Sequence, residues 1–347
     1  MRKLGGSTDK RAAWNGIARA LAAAALFGAT TPISKRLLAA LAPQVLAGVL
    51  YLGSGTGLLV YWLIRRHSAG GHREAAPSRK DLGWLALAIG AGGLIAPVLL
   101  MVGLTRTPAS TASLLLNFEG VFTALIAWIV LREHVDRRIA LGMLAIVAGG
   151  VVLSWGGHVA VAGLTGPLLV IGACLAWAID NNLTQKVSAT DPVVIAGLKG
   201  LIAGSINLGL GLSLGGALAF SGRLVGAVMV GFLGYGVSLV LYVRAMRDLG
   251  TARTGAYFSL APFVGAAIGL LFLGEPVSAS LLVAATLMAF GLWFHLTERH
   301  AHQHGHDPLE HTHLHEHDAH HQHAHEAGHP PGEPHTHPHR HASIVHT

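Results

Sequence analysis

Glu119 is the residue that asks most of its surroundings. It stands in Leu116-Asn-Phe-Glu-Gly-Val, about twelve residues into an apolar run, a depth of roughly 18 Å in a spanning helix that rises 1.5 Å per residue. An ionisable side chain at such a depth is costly and marks function by default. A carboxylate there could bind a cationic group or carry a proton, with Asn117 beside it; it could also do no more than hydrogen-bond a neighbouring helix. Gly120 would allow a kink that frees a backbone carbonyl. Asp180-Asn181-Asn182, near the inner end of another run, offers a second polar group, or else the cap of a helix ending at the headgroups. Lys199, on the next run, lies roughly 10 Å from that run's inner end, at a depth similar to Asp180. A Lys199–Asp180 pair would lower the cost of both charges. Contact with an anionic ligand, or snorkelling to the inner surface, are the other uses of that lysine. Tyr235, flanked by Gly234 and Gly236, has room to line a cavity; Trp84, Phe118, Trp177, Tyr242 and Tyr257 are further aromatics in the runs. Glu119, Asn117, Asp180, Asn181, Lys199 and Tyr235 form the expected substrate- or ion-binding set.

A second chemistry is confined to the end of the chain. Residues 297–347 hold 18 of the 23 histidines, many as His-x-His. Neutral imidazole suits Zn, Ni and Co, so His302, His304, His306, His311, His313, His315, His317, His335, His337 and His339 are candidate ligands for a divalent metal. This tail has almost no large apolar residues and cannot offset its ordering entropy, so disorder is expected.

The elements that must position these groups are apolar and duplicated. Of 347 residues, 52% are hydrophobic and 12% charged, against about 25% charged in soluble domains, and the mean hydropathy is +0.53. The 45 glycines suit membrane helices, where they let backbones approach. Ten runs long enough to span are expected at 16–34, 43–64, 82–104, 108–131, 138–155, 163–182, 192–214, 224–246, 254–273 and 277–296. The basic N-terminus before an Ala-rich run resembles a signal peptide, but the apolar character continues to Leu41, so an uncleaved first span is expected. Pro43-Gln-Val-Leu-Ala-Gly returns as Pro192-Val-Val-Ile-Ala-Gly, and Leu131-Arg-Glu-His-Val as Leu273-Gly-Glu-Pro-Val. Glu133 reads as a solvated loop charge and Glu275 as an acid capping the last span.

Five spans per copy, an odd number, make the halves inverted, a sign of secondary transporters. Thr30-Thr31-Pro32 in the first span matches Asp180-Asn181-Asn182 in the sixth, so both spans are expected to be interrupted there, at the transport site. With the N-terminus inside, the inner segments carry 18 Lys and Arg and the outer loops 4, which places both termini in the cytoplasm. The expected organisation is an N-terminal segment 1–15, repeats over 16–155 and 163–296, and the tail 297–347.

The net charge of +7 sits between apolar runs, not in a basic stripe, which argues against a nucleic-acid partner. The chain's one cysteine, Cys174, cannot form an internal disulfide. No nucleophile–base pair or phosphate loop suggests an enzyme. Phe27-Gly-Ala-Thr-Thr-Pro, together with Leu116-Asn-Phe-Glu-Gly-Val-Phe-Thr-Ala-Leu running on to Leu131-Arg-Glu-His-Val, resembles the drug/metabolite transporter superfamily, specifically its EamA type. The resemblance covers both repeats. It implies an all-α, inner-membrane carrier that exports amino acids or related metabolites, with a central cavity and peripheral fifth and tenth spans. That family often has Glu-Pro in the fourth span: Glu119 matches, Gly120 departs, and Ala261-Pro262 in the second repeat keeps the proline and loses the acid. The partners so implied are the bilayer, a small molecule, and a coupled proton or cation; no cofactor is required. The alternative is a Ni, Co or Zn exporter served by the tail.

Overall fold

The computed structural model describes residues 7–67, 81–130, 137–155, 161–185 and 191–296, and in the tail 304–305, 310–315, 335–340 and 345–346. Nine helical stretches among the described residues are long and apolar enough to cross a membrane, and a tenth apolar stretch, Ala279–Phe294, is shorter. The first half contains α1 (Ser7–Leu37), α2 (Pro43–His67), α3 (Asp81–Ala88) and α4 (Ala96–Arg106), α5 (Ala109–Leu115) and α6 (Phe118–Ile129), and α7 (Arg137–Trp155). The second contains α8 (Thr165–Gln185), α9 (Pro192–Ser213), α10 (Gly222–Gly231) and α11 (Ser238–Leu249), α12 (Thr251–Phe258) and α13 (Ala261–Leu273), and α14 (Ala279–Leu296). Each half is five spans, with the third and fourth each built from two helices. This is the expected all-α membrane fold of two inverted five-span repeats.

The halves exchange partners. α1 packs on α11 and α13 of the other half, while α8 packs on α4 and α6. The second spans, α2 and α9, cross each other, and the fifth spans, α7 and α14, pair at the periphery. Hydrophobicity cannot drive these contacts in lipid, so close packing must. Glycine supplies it at the α2–α9 crossing: a Cβ on Gly55 would lie 2.5 Å from the Leu201 nitrogen, and one on Gly204 would lie 2.6 Å from that of Leu52.

The expected interruptions of the first and sixth spans are absent. α1 is helical through Pro32 and α8 through Asp180-Asn181-Asn182. Proline removes the hydrogen bond to the Gly28 carbonyl, and that oxygen lies against Gly265 of α13. In α8 the Asn182 amide donates to the Ala178 carbonyl one turn back at 2.8 Å, so its side chain accompanies the helix instead of ending it. The breaks fall in the third and fourth spans of both halves. π segments, Ile89–Ile95 and Phe232–Val237, join α3 to α4 and α10 to α11. Two-residue turns, Leu116-Asn117 and Ser259-Leu260, separate α5 from α6 and α12 from α13. Counted from these turns, Glu119 corresponds to Pro262, one residue beyond the Ala261 that the sequence repeat suggests.

In the tail, Glu310–His315 pairs antiparallel with His335–Arg340, and His304–Gly305 with Val345–His346. A His-x-His alternation suits the two-residue period of a strand, although a lone two-stranded ribbon is marginal in water. The expected disorder of the rest of the tail concerns residues outside the described ones.

Candidate functional site

One stripe of α8 organises the polar centre. Trp177, Asp180, Asn181 and Thr184 follow the i, i+3, i+4, i+7 spacing that puts side chains on one helix face. Asp180 is almost fully buried, at 5% exposure, and both its carboxylate oxygens accept from Lys199 Nζ of α9 at 2.5 Å. The Thr184 hydroxyl donates to Asp180 Oδ1 at 2.9 Å. This is the expected Lys199–Asp180 pair, held by a third group. Gly92 of the first π segment lies so close that a Cβ there would overlap the Asp180 carboxylate.

Asn181 points another way. Its amide donates to Glu119 Oε1 of α6 at 2.8 Å. Glu119 is the second residue of α6, just past the Leu116-Asn117 turn, where the free N–H groups of a helix start favour an anion. Its kink therefore lies before the acid, not at Gly120. Among the described residues no cation is within ion-pair distance of Glu119, so its charge is met by a neutral amide and a helix end. Asn117 turns away: its amide donates to the Leu114 carbonyl at 2.8 Å and lies 3.9 Å from Met288 Sδ of α14.

The π segment exposes carbonyls that side chains from three helices satisfy. Pro97 follows it and lacks an N–H. The Tyr51 hydroxyl donates to the Gly92 carbonyl at 2.7 Å, and Trp177 Nε1 donates to the same oxygen at 3.1 Å. The Asn207 amide of α9 donates to Gly93 O at 3.1 Å. From Tyr51 an aromatic chain runs on through Tyr235, at 5.8 Å between ring centroids, to Phe27 at 5.7 Å and Phe258 at 5.4 Å. Tyr235 sits in the second π segment, so both π segments face this array.

At one end of the spans lies a different arrangement. Glu275 does not cap its own helix. Its oxygens accept from the backbone N–H groups of Ala109 at 2.6 Å and Ser110 at 2.8 Å, at the start of α5. Lys35, at the end of α1, donates to the carbonyls of Leu104 and Thr107 at the end of α4. Together they clamp the turn between the third and fourth spans from both sides of its dipoles.

The EamA-like transporter family model matches this chain twice, over residues 14–155 and 164–297. The chain belongs to the EamA-like transporter family. It is a multi-pass membrane protein and a small-molecule transporter. An "uncharacterized transporter" of Methanothermobacter thermautotrophicus is 28% identical over 79% of this chain and 83% of its own length. A "Probable terminal-alkyne amino-acid exporter" of Streptantibioticus cattleyicolor is 29% identical over 62% of this chain and 73% of its own. A "Probable amino-acid metabolite efflux pump" of Salmonella typhimurium is 26% identical over 54% and 68%. One solved crystal structure aligns with a TM-score of 0.58 over 82% of this chain and 95% of that one, at 18% identity; that likeness shows the fold.

In this EamA-like chain, three of the six expected site residues, Asp180, Lys199 and Tyr235, belong to one polar and aromatic network that runs through Gly92 and Tyr51. Glu119 pairs beside it with Asn181 of the same α8 face, and Asn117 lies outside it. Tyr51, Thr184 and Gly92 join the network without having been singled out. The glycine pairs of Ile89-Gly-Ala-Gly-Gly-Leu-Ile95 and Phe232-Leu-Gly-Tyr-Gly-Val237, at matching places in the two repeats, are the signal that marks the π segments. Among the described residues no group of three or more His, Cys, Asp or Glu could hold a metal. The candidate tail ligands from His302 to His339 have side chains outside the described ones.

Proposed function

We propose that this transporter exports an amino acid or a related metabolite across the inner membrane by alternating access, with Glu119 as the acid that receives the substrate's cationic group or a coupled proton. The observation that carries this reading is the asymmetry of the two carboxylates: Asp180 is neutralised by Lys199, whereas Glu119, among the described residues, is met by an amide and no cation. Tyr51, Trp177 and Tyr235 form an adjoining aromatic array, and aromatic faces attract ammonium groups. The two named exporters among the relatives support the cargo class and direction. The 18-to-4 distribution of Lys and Arg supports cytoplasmic termini. We read the chain as a carrier without enzymatic activity. Purified protein in proteoliposomes tests the assignment: Glu119→Gln should abolish counterflow of a panel of amino acids while the melting temperature stays unchanged. Full transport by that variant would exclude Glu119 from the mechanism.

A metal-exporter reading draws on the histidine tail alone. Deleting residues 300–347 separates the two. Loss of Ni, Co or Zn tolerance in cells, with the membrane part still folded and inserted, would favour the metal.

A further inference from the structure

A cavity of about 380 Å³ opens where the ends of α2, α9 and α11 meet. Among the described residues three guanidinium groups line it, those of Arg65, Arg244 and Arg247, and one carboxylate, that of Asp191. Asp191 is committed twice: Oδ1 accepts from the Val193 backbone N–H at 2.8 Å as the cap of α9, and Oδ2 lies 3.5 Å from Arg65 Nη1. Arg244 is held over Tyr61, donating to its hydroxyl at 3.0 Å with the guanidinium carbon 5.8 Å from the ring centroid. The described lining therefore holds three guanidinium groups to one carboxylate, with Arg65 and Arg244 on fixed supports. Asp191 precedes Lys199 by eight residues, roughly 12 Å along α9, so this cavity is near the span ends and not at the Asp180–Lys199 pair.

The rest of the lining is aliphatic: Ile64 of α2, Val193 of α9, and Val240 and Val243 of α11. Ile64 and Val60, one turn apart on α2, are 62% and 55% exposed. They continue the apolar wall away from the arginines along the lipid-facing side. A charged pocket at the span ends that runs into an exposed aliphatic stripe matches a molecule with an anionic head and a hydrocarbon chain. The sequence adds charge on the same side, because α2 leads into a segment holding Arg66, Arg73, Arg79 and Lys80, the kind of basic cluster that anionic lipid attracts.

We propose that this cavity binds the phosphate head of an anionic phospholipid, with Arg244 and Arg247 contacting the phosphate and an acyl chain lying along Ile64 and Val60. The site needs only the membrane fold and does not depend on which cargo is carried or in which direction. Free anions are the competing occupant, and the aliphatic continuation of the wall argues against them.

The test uses the full chain in detergent, titrated with short-chain phosphatidylglycerol, phosphatidylcholine or glycerol phosphate and followed by native mass spectrometry. Wild type should retain phosphatidylglycerol at least tenfold more tightly than phosphatidylcholine. The Arg244→Gln/Arg247→Gln variant should lose affinity for phosphatidylglycerol by roughly fivefold per arginine, with phosphatidylcholine unchanged. Asp191→Asn keeps the cap, since Asn caps as well as Asp, and removes the one carboxylate, so it should tighten phosphatidylglycerol binding. Should the double arginine variant fail to fold, this second variant decides. Equal binding of the two lipids, indifference of either folded variant, or glycerol phosphate binding as tightly as phosphatidylglycerol would each overturn the proposal. Amino-acid counterflow is a separate readout, so failure here leaves the role of Glu119 standing.

Discussion

Glu119 and Glu275 are both membrane-region glutamates next to a helix start, and they differ in how fully they are used. Glu275 accepts two backbone N–H bonds from α5, while Lys35 holds the other side of the same turn. Its acceptor capacity is spent on a fixed contact between the two repeats. Glu119 accepts one side-chain amide and has no cation beside it among the described residues. A saturated carboxylate holds a structure, and an under-used one in a polar network can take a ligand. The sequence repeat keeps a glutamate at the position of Glu275, as Glu133, and has no second copy of Glu119.

The comparison can be broken in order of size. The largest effect is expected beside Glu119, at the ion pair. Asp180→Asn or Lys199→Met alone should lower stability by about 3–5 kcal/mol, because each leaves a buried charge uncompensated. The double variant should recover most of that in thermal melts of detergent-solubilised protein. Glu119→Gln should weaken substrate binding by roughly 30-fold or more, as expected for losing one partner of a desolvated charge interaction worth at least ~2 kcal/mol, with melting unchanged. Glu275→Gln should show the opposite profile: a loss of about 1–3 kcal/mol in melting from weakened charge-assisted bonds, and an unchanged substrate dissociation constant by isothermal calorimetry. If Glu275→Gln abolished binding and Glu119→Gln lowered melting, the distinction between the two acids would fail. The smallest effect sharpens the picture of the π segment. Asn207→Leu removes the donor to the Gly93 carbonyl and should cost about 0.6–1.7 kcal/mol, the range for hydrogen bonds between membrane helices.

Much of this molecule was legible before its structure, for a physical reason. Lipid leaves the backbone no alternative to the helix, so apolar runs and their duplication translate directly into spans. The Lys199–Asp180 pair was legible because two opposite charges at one depth on consecutive spans have nowhere cheaper to go. The interruptions were misplaced because Pro32 is conspicuous, yet the helix runs on through it with the freed Gly28 carbonyl packed on Gly265, far away in sequence. The real π segment relies on Tyr51, Trp177 and Asn207, donors from three other helices that no local pattern reveals. Glu275 was misread for the same reason, since its partners lie in the other repeat. Tyr51 in an apolar run looks like any packing aromatic, and Asn117 beside Glu119 looks like a site residue until the turn sends it toward α14.

The exchange of first spans between the halves sets the timetable of biogenesis. α1 leaves the ribosome first, yet its Gly28 packs on Ala261 and Gly265, in a helix made near the end of synthesis. At 5–20 residues per second that wait is roughly ten to fifty seconds. During it, α1 sits in lipid with the Gly28 carbonyl unclaimed, a natural client for an insertase or chaperone. Neither half completes its own packing, so the two are finished together, when the last two spans arrive.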